Sequence, residues 1–382
     1  MDPVFHLGET ASRRGFRLPR ARIDLEALVA NCGLARRLAG DAHVLAVVKA
    51  DAYGHGAPAV AKALAGVADA LAVARVDEGV ALRREGIETP IVVLQGCLAS
   101  GELEEAARQG LEVVVHREDQ LVKLIGGHRL ENQRVWLKLD TGMHRLGFGA
   151  EDFGRARVAL AAAPGVSEVV AMSHLVCADE LDNDFTRIQL ERFSRATEGF
   201  DGRRSLANSA GLLAWPDTRF DWVRPGIMLY GASPLDAPRP EAAELRPVMC
   251  LESEVIAVRR VEAGGGVGYG QRYVCAEPTR IGTVAIGYGD GYPRAAPDGT
   301  PVAVAGHRTR LVGRVSMDSL TVDLTGLPGV GVGARVELWG GEVRVEEVAK
   351  ACGTISYELL TRVAPRVPRE YSPLPPRPSS LP

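Results

Sequence analysis

From Arg22 to about Ser233 the chain repeats one unit, a short apolar run followed by an amphipathic stretch, and this narrows its architecture more than any other feature of its 382 residues. Runs at 44–48, 70–74, 91–95, 112–115, 135–139, 168–172, 205–207 and 222–230 read as eight strands. Between them, 57–65, 77–84, 103–109, 118–125, 150–162 and 186–198 carry apolar residues at the three- and four-residue spacing of helices with one buried face. Strands joined by crossover helices lie parallel, so eight cycles over about two hundred residues predict an α/β fold, a (β/α)8 barrel of the TIM type. A doubly wound sheet is built from the same unit and stays open at this point.

After the Pro-rich stretch Ser233–Pro240 the pattern changes. Alternating, Val-rich, Gly-punctuated runs at 252–259, 283–286, 301–305, 309–312, 320–324 and 334–338 predict a mainly β C-terminal domain. A last long helix is expected over 345–351, and the Pro-rich tail 372–382 reads as extended or disordered. The expected division is a barrel over 14–240 and a β domain over 241–382 that includes residues 1–13. The glycine run Gly264–Gly270 has no G-x-G-x-x-G register and lies in the β unit, which argues against a dinucleotide loop.

Composition removes several classes of function. A net charge of -3 with both signs interspersed gives no basic face for nucleic acid. No stretch, Met1–Arg20 included, is apolar for long enough to span a membrane. Six cysteines without C-x-x-C spacing read as reduced thiols, pointing to the cytoplasm. The eight histidines show no H-x-x-x-H pair, so no metal is expected.

In a barrel of this kind chemistry gathers at the C-terminal ends of the strands. Lys49 follows the first strand, where an apolar run gives way to the turn Ala50-Asp51-Ala52-Tyr53-Gly54-His55-Gly56, a rigid mount for a lysine that joins an aldehyde cofactor. Lys138 lies in the fifth strand with Arg145 in the turn beyond it, His174 ends the sixth, Asn208 and Ser209 end the seventh, and Arg224 and Gly226 lie on the eighth. Each alone has an ordinary structural reading, such as a surface ion pair, a core histidine or a helix cap. Their convergence on one end is what carries weight. Ser209 opens a short helix whose free N–H groups suit a phosphate, and Gly226 lets backbone approach the same anion. A lysine, a phosphate cradle and buried basic groups describe a pyridoxal 5'-phosphate site.

These segments resemble the alanine racemase family, fold-type III pyridoxal phosphate enzymes, over nearly the whole chain. The resemblance rests on Val47–Gly56, Lys138–Met143, Ala207–Ser209, Val223–Ile227, Ile286–Tyr292, Gly313–Asp318 and Thr354–Glu358, in that order. It implies that Lys49 bears the cofactor, that Tyr53, Asn208, Ser209, Gly226, Ile227 and Tyr357 surround its phosphate end, and that Arg224 faces the ring nitrogen. Arg145 would bind the phenolic oxygen and the substrate carboxylate, oriented by Lys138 as a carbamate, and His174 would add to the field around the bases. Lys49 would act on the D-face of the α-carbon and Tyr269, from the partner subunit of a homodimer, on the L-face. Met317 and Asp318 of that second chain would line the substrate end.

The implied activity is interconversion of L- and D-alanine, supplying D-alanine for peptidoglycan. Two opposed bases are the simplest means of moving a proton from one face of a carbon to the other. A broader-specificity or serine-type racemase of the same fold is the alternative, because one methylene is worth only about 1–3 kcal/mol of discrimination. Ser316, His144 and Leu175-Val176-Cys177 depart from commonly seen versions of the family motifs without removing an implied acid, base or cofactor ligand.

Overall fold

The structure is a computed structural model that describes residues 18–99, 101–127 and 133–373. His43–Val47, Ala70–Val73, Ile91–Val93, Leu111–Val115, Gln133–Lys138, Val166–Met172, Arg204–Ser205 and Trp222–Val223 form a closed barrel of eight parallel strands. Closure is made where His43 and Val44 pair with Trp222 and Val223, which decides between the barrel and an open sheet. Helices cover the outside, so a strand here is buried on both faces and reads as a continuous apolar run. Every residue of Ala70–Val73 and Ile91–Val93 is buried accordingly.

The two ends of the barrel differ in how their charges are met. At the N-terminal end Arg134 pairs with Glu168 at 2.7 Å and Glu112 at 3.1 Å, and its guanidinium lies over the Trp222 ring. Trp136, fully buried, donates to the other oxygen of Glu112 at 2.7 Å. This end is saturated, as suits the face that supplies stability in such barrels.

Three strand ends depart from the sequence expectation, and all three matter for the site. The run 222–230 is not one strand: it stops at Val223, because Pro225 has no N–H to give the ladder, and continues as a 3-10 turn over Ile227–Tyr230. Arg224 and Gly226 therefore sit in a turn above the barrel, not on its wall. The seventh strand is only Arg204–Ser205, and Asn208 caps the following helix Ser209–Ala214 by accepting from Gly211 N–H at 2.9 Å. The sixth strand ends at Met172, which leaves His174 on the loop beyond it.

The second unit is an eight-stranded sheet built around Met249–Val261, a 13-residue strand that pairs with Arg20–Ile23, Thr279–Val284 and Arg335–Trp339. Arg20–Ile23 also pairs, in parallel, with Arg369–Tyr371. Residues 20–23 thus belong to this sheet, although the sequence reading put them inside the barrel segment. Buried Glu252 pins the arrangement by accepting from Arg20 at 2.6 Å and from Arg335. The tail expectation falls on residues of which 374–382 lie outside the described ones. Ser372 itself is tied down, its N–H donating to Ile23 O and its Oγ accepting from Leu25 N–H, both at 2.9 Å.

Between the first strand and the barrel runs the helix Leu25–Ala39, capped by the Asp24 carboxylate. Its buried Asn31 donates to Leu229 O at 3.0 Å and Arg246 O at 2.8 Å and accepts from Arg246 N–H at 2.9 Å, anchoring the 3-10 turn that follows Gly226. Asn31→Ala takes this partner from buried Leu229 O and from the partly buried Arg246 N–H and O, and a buried group left unpaired costs about 1–3 kcal/mol. The variant is expected to lose about 2–4 kcal/mol, read as a lower urea midpoint with an unchanged slope.

Candidate active site

The backbone just after Lys49 is the least ordinary in the molecule. Ala50, Asp51, Ala52 and Tyr53 all have φ between 52 and 54° and ψ between 40 and 53°, a full turn of left-handed helix without a glycine. For L-residues that conformation costs roughly 1–2 kcal/mol each, so it persists only where surroundings impose it. Here they do. Ala52 N–H donates to Val48 O at 2.9 Å, Ala50 N–H to the Glu78 carboxylate at 2.7 Å, and Ala57 N–H to the Asp51 carboxylate at 2.7 Å. His55, wholly buried, places Nδ1 at 3.0 Å from Ala52 O and 2.9 Å from Tyr53 O; two carbonyl neighbours require the proton on Nδ1. Arg369 of the β unit donates to Gly54 O at 3.1 Å. The fit is close enough that a Cβ on Gly54 would fall 2.2 Å from Leu360 O, and one on Gly56 1.9 Å from Tyr371 Oη.

The turn faces a cavity of about 730 Å³ at the C-terminal end of the barrel, lined by Lys49, Lys138, Arg145, His174 and Arg224 among others. Four cations meet there, and among the described residues none has a carboxylate within 4.0 Å. Lys138 ends the fifth strand, is 8% exposed, and its amine makes no hydrogen bond to another described residue. Burial, then Arg224, Arg145 and Lys49, push its amine down to about 8. Burial, followed by Arg145, lowers Lys49 as well, with Glu78 acting in the opposite sense. Burial and the surrounding cations hold the His174 imidazole well below its usual range, so it is neutral at pH 7. Arg224 is buried and lowered by desolvation to about 10, which still leaves it charged. It donates to Ser205 Oγ at 2.6 Å, to Leu206 O at 3.2 Å and to Ser173 O, and these neutral acceptors leave its charge uncompensated. A site so constituted is built to receive an anion.

Ser209, Gly226, Ile227 and two tyrosines line another part of the same cavity as a small cradle. Ser209 Oγ accepts from Gly226 N–H at 2.8 Å and Met228 N–H at 3.4 Å, joining the two turns that follow the seventh and eighth strands. Tyr53 stacks on Tyr230 with ring centroids 4.7 Å apart, lies 5.9 Å from Tyr357, and points its hydroxyl at Gly226. Backbone N–H groups, a serine and two phenols around a glycine are a donor set for phosphate, and the absent Cβ of Gly226 leaves the space. Tyr357 stands on the six-residue helix Ser356–Thr361, which reaches from the β unit of the same chain onto the cradle.

Arg145 is brought to the cavity rim by a loop that Asp140 organises: its carboxylate accepts from Gly142 N–H at 2.9 Å and His144 N–H at 3.1 Å and pairs with the His144 ring at 3.2 Å. The remaining candidates lie elsewhere. Tyr269 is 69% exposed at the tip of a ribbon formed by Gly266–Val267 and Tyr273–Val274, and Met317 is 54% exposed; neither lines this cavity, nor does Asp318. Asp318 is nonetheless braced, since Arg366 bridges it to buried Asp290, each at 2.7 Å. The cavity also contains Gln95 and Glu358, and Glu78 stands behind it, three residues that sequence reasoning did not single out.

A lysine on a strained mount, cations uncompensated among the described residues and a donor set suited to phosphate are the features of a barrel enzyme that uses a phosphorylated aldehyde. The chain belongs to the alanine racemase family, whose members are pyridoxal-phosphate-dependent isomerases: the profile of the family's N-terminal domain matches residues 23–234 and that of its C-terminal domain residues 248–371. It is 52% identical over 355 residues to an alanine racemase of Halorhodospira halophila, covering 93% of this chain and 98% of that one. It is 52% identical over 353 residues to a catabolic alanine racemase of Pseudomonas aeruginosa, covering 92% and 98%. Its fold matches the crystal structure of a biosynthetic alanine racemase from Pseudomonas aeruginosa with a TM-score of 0.90 at 47% identity, over 94% of this chain and 100% of that one. It also matches an alanine racemase from Bartonella henselae with covalently bound pyridoxal phosphate, with a TM-score of 0.84 at 30% identity over 93% and 99%.

The cradle makes a direct prediction. In Gly226→Ala the new Cβ lies 2.5 Å from Tyr53 Oη and fills the phosphate space. Affinity for pyridoxal phosphate, measured by titrating the cofactor-free protein, is expected to fall by about tenfold or more while the circular dichroism spectrum is kept.

Proposed function

We propose that this chain interconverts L- and D-alanine as a homodimer, with Lys49 carrying pyridoxal phosphate in each barrel and Tyr269 of a second copy completing each site. The observation that carries this reading is the convergence of Lys49, three further cations unpaired among the described residues and the Ser209–Gly226 cradle in one cavity whose own phenols and imidazole do not serve as a second base. Burial raises the phenols of Tyr53 and Tyr357 beyond the range of a working base, and burial together with the cations leaves His174 too weak a one. Exposed Tyr269, Met317 and Asp318 make sense as groups offered to another barrel.

Bound pyridoxal phosphate supplies an aldehyde for the lysine and a conjugated ring that acidifies the α-proton of a joined amino acid. The residues do the rest. Ser209, Gly226, Ile227, Tyr53 and Tyr357 hold the phosphate, with Asn208 fixing the helix start beside it. Arg224 donates toward the ring nitrogen without giving up its proton, which keeps the ring a modest electron sink and limits side reactions. Arg145 takes the substrate carboxylate and the phenolic oxygen. The neutral fraction of the Lys138 amine near pH 8 is suited to add dissolved carbon dioxide with loss of a proton, and the resulting carbamate would orient Arg145. The Lys49 amine moves the proton on the D-face and the Tyr269 phenol on the L-face, with Met317 and Asp318 bounding the methyl end.

The finer assignments follow the same reading. Six free thiols fit a reducing cytoplasm, and no helix of the described residues is long and apolar enough to cross a membrane. The barrel is taken as 14–240 and the β domain as the rest, with strand Arg20–Ile23 lent to the latter's sheet. We assign the D-alanine to peptidoglycan. Enantiomers have equal free energy, so the site serves supply and breakdown alike; a D-alanine requirement for growth after deletion of the gene supports supply, and its absence assigns the chain to breakdown.

Tyr269→Phe is expected to retain the bound cofactor's absorbance and to lose α-proton exchange from L-alanine by about 10²-fold or more. Mixing inactive Lys49→Ala and Tyr269→Phe proteins tests the shared site. Exchange of subunits creates heterodimers with one intact site, so roughly a quarter of full activity should return; none returns if Lys49 and Tyr269 of one chain serve the same site.

A further inference from the structure

Glu78 belongs to a different crossover helix from the lysine it stands behind. It lies in the first turn of Val76–Arg84, where one carboxylate oxygen accepts from Ala74 N–H at 2.7 Å and Arg75 N–H at 3.2 Å and so closes the helix start. A glutamate in such a cap ordinarily satisfies only its own helix. This one sends its other oxygen across to the N–H of Ala50 at 2.7 Å, 28 residues upstream and first in the left-handed turn.

That contact bears on Lys49 directly. On its N-terminal side Val48 N–H is held by Ala72 O at 2.8 Å in the barrel ladder, and on its C-terminal side Ala50 N–H is held by Glu78. The peptide unit before Lys49 is held through Val48 O, which accepts from Ala52 N–H at 2.9 Å, and the unit after it through Ala50 N–H on Glu78, which together set the direction in which the lysine side chain leaves the backbone. Glu78 also brings negative charge to an amine otherwise faced by Arg145, Arg224, Lys138 and His174, with Tyr53, Tyr357 and Glu358 on the remaining walls.

We propose that Glu78 is a positioning residue for Lys49: hydrogen-bonded to Ala50 N–H, its carboxylate aims the lysine into the cavity and keeps its amine at the D-face of the substrate. The inference rests on Lys49 as the cofactor-bearing lysine. Glu78→Gln has a single acceptor oxygen and cannot serve both the helix cap and Ala50. Glu78→Asp keeps the charge but is too short to span both. Glu102→Gln is the control, because Glu102 caps Leu98 and Ala99 N–H groups in the same manner and has no contact with the turn.

Two readouts separate positioning from a general loss of structure. The rate at which cofactor-free protein takes up pyridoxal phosphate is followed by absorbance, and α-proton exchange in deuterated buffer is followed separately from D- and L-alanine across pH. Glu78→Gln is expected to take up the cofactor about tenfold more slowly and to lose D-side exchange by about tenfold or more, with L-side exchange within about threefold of the parent. The acid limb of its D-side profile should move to lower pH, since removing the carboxylate leaves cations around Lys49, and its amine loses a proton more readily. Glu78→Asp should return the limb toward the parent's position without restoring the rate.

Equal losses on the two sides, an unmoved limb, or the same behaviour in Glu102→Gln would overturn the proposal. Parent protein that carries the cofactor on Lys49 while Glu78→Gln behaves like it defeats this inference alone. Parent protein that carries none on Lys49 defeats the functional reading beneath it.

Discussion

The structure turns on one backbone constraint, the left-handed turn from Ala50 to Tyr53. At roughly 1–2 kcal/mol per residue such a turn would relax in isolation. It is held instead by groups from across the molecule: Glu78 and Val48 in the barrel, His55 within the segment, and Arg369, Leu360 and Tyr371 in the β unit. Its effect is to put Lys49 and Tyr53, four residues apart in sequence, both on the wall of one cavity. A right-handed continuation would carry the chain away along a different path, separating the lysine from the phosphate cradle.

Charge supplies the second half of the design. The barrel's N-terminal end satisfies its arginine with two glutamates, whereas its C-terminal end gathers Lys49, Lys138, Arg145 and Arg224 without a matching carboxylate among the described residues. Lys138 and Arg224 are buried, and unpaired buried cations lower stability when no anion is bound. The same imbalance favours a phosphate and a carboxylate, and it holds His174 neutral. Rigidity around Lys49 and unspent positive charge together are the grounds on which the proposed reading assigns the chemistry to one end of a common fold.

Much of this was legible in the chain. Apolar runs such as 70–74 and 91–95 located the barrel strands because burial on both faces leaves no alternation to misread. Boundaries near functional turns were not legible in the same way. The run 222–230 is apolar on both sides of Arg224-Pro225-Gly226, so hydrophobicity concealed the break that Pro225 enforces and that puts Arg224 and Gly226 over the cavity. The helix Ser356–Thr361 is too short to show a period, yet it brings Tyr357 to the cradle. Arg20–Ile23 lies next to the barrel in sequence, and only pairing with Met249–Val261 places it in the other sheet. Glu78 gave no signal at all, since its partner is 28 residues away and its own neighbourhood reads as an ordinary helix start.

The account stands on Lys49 as the group that meets the cofactor. Loading the protein with pyridoxal phosphate, reducing it with borohydride and mapping the peptides measures this directly. The expected result is a single labelled peptide whose modified residue is Lys49. A label on Lys138, or protein that binds the cofactor and retains none after reduction, would contradict the account.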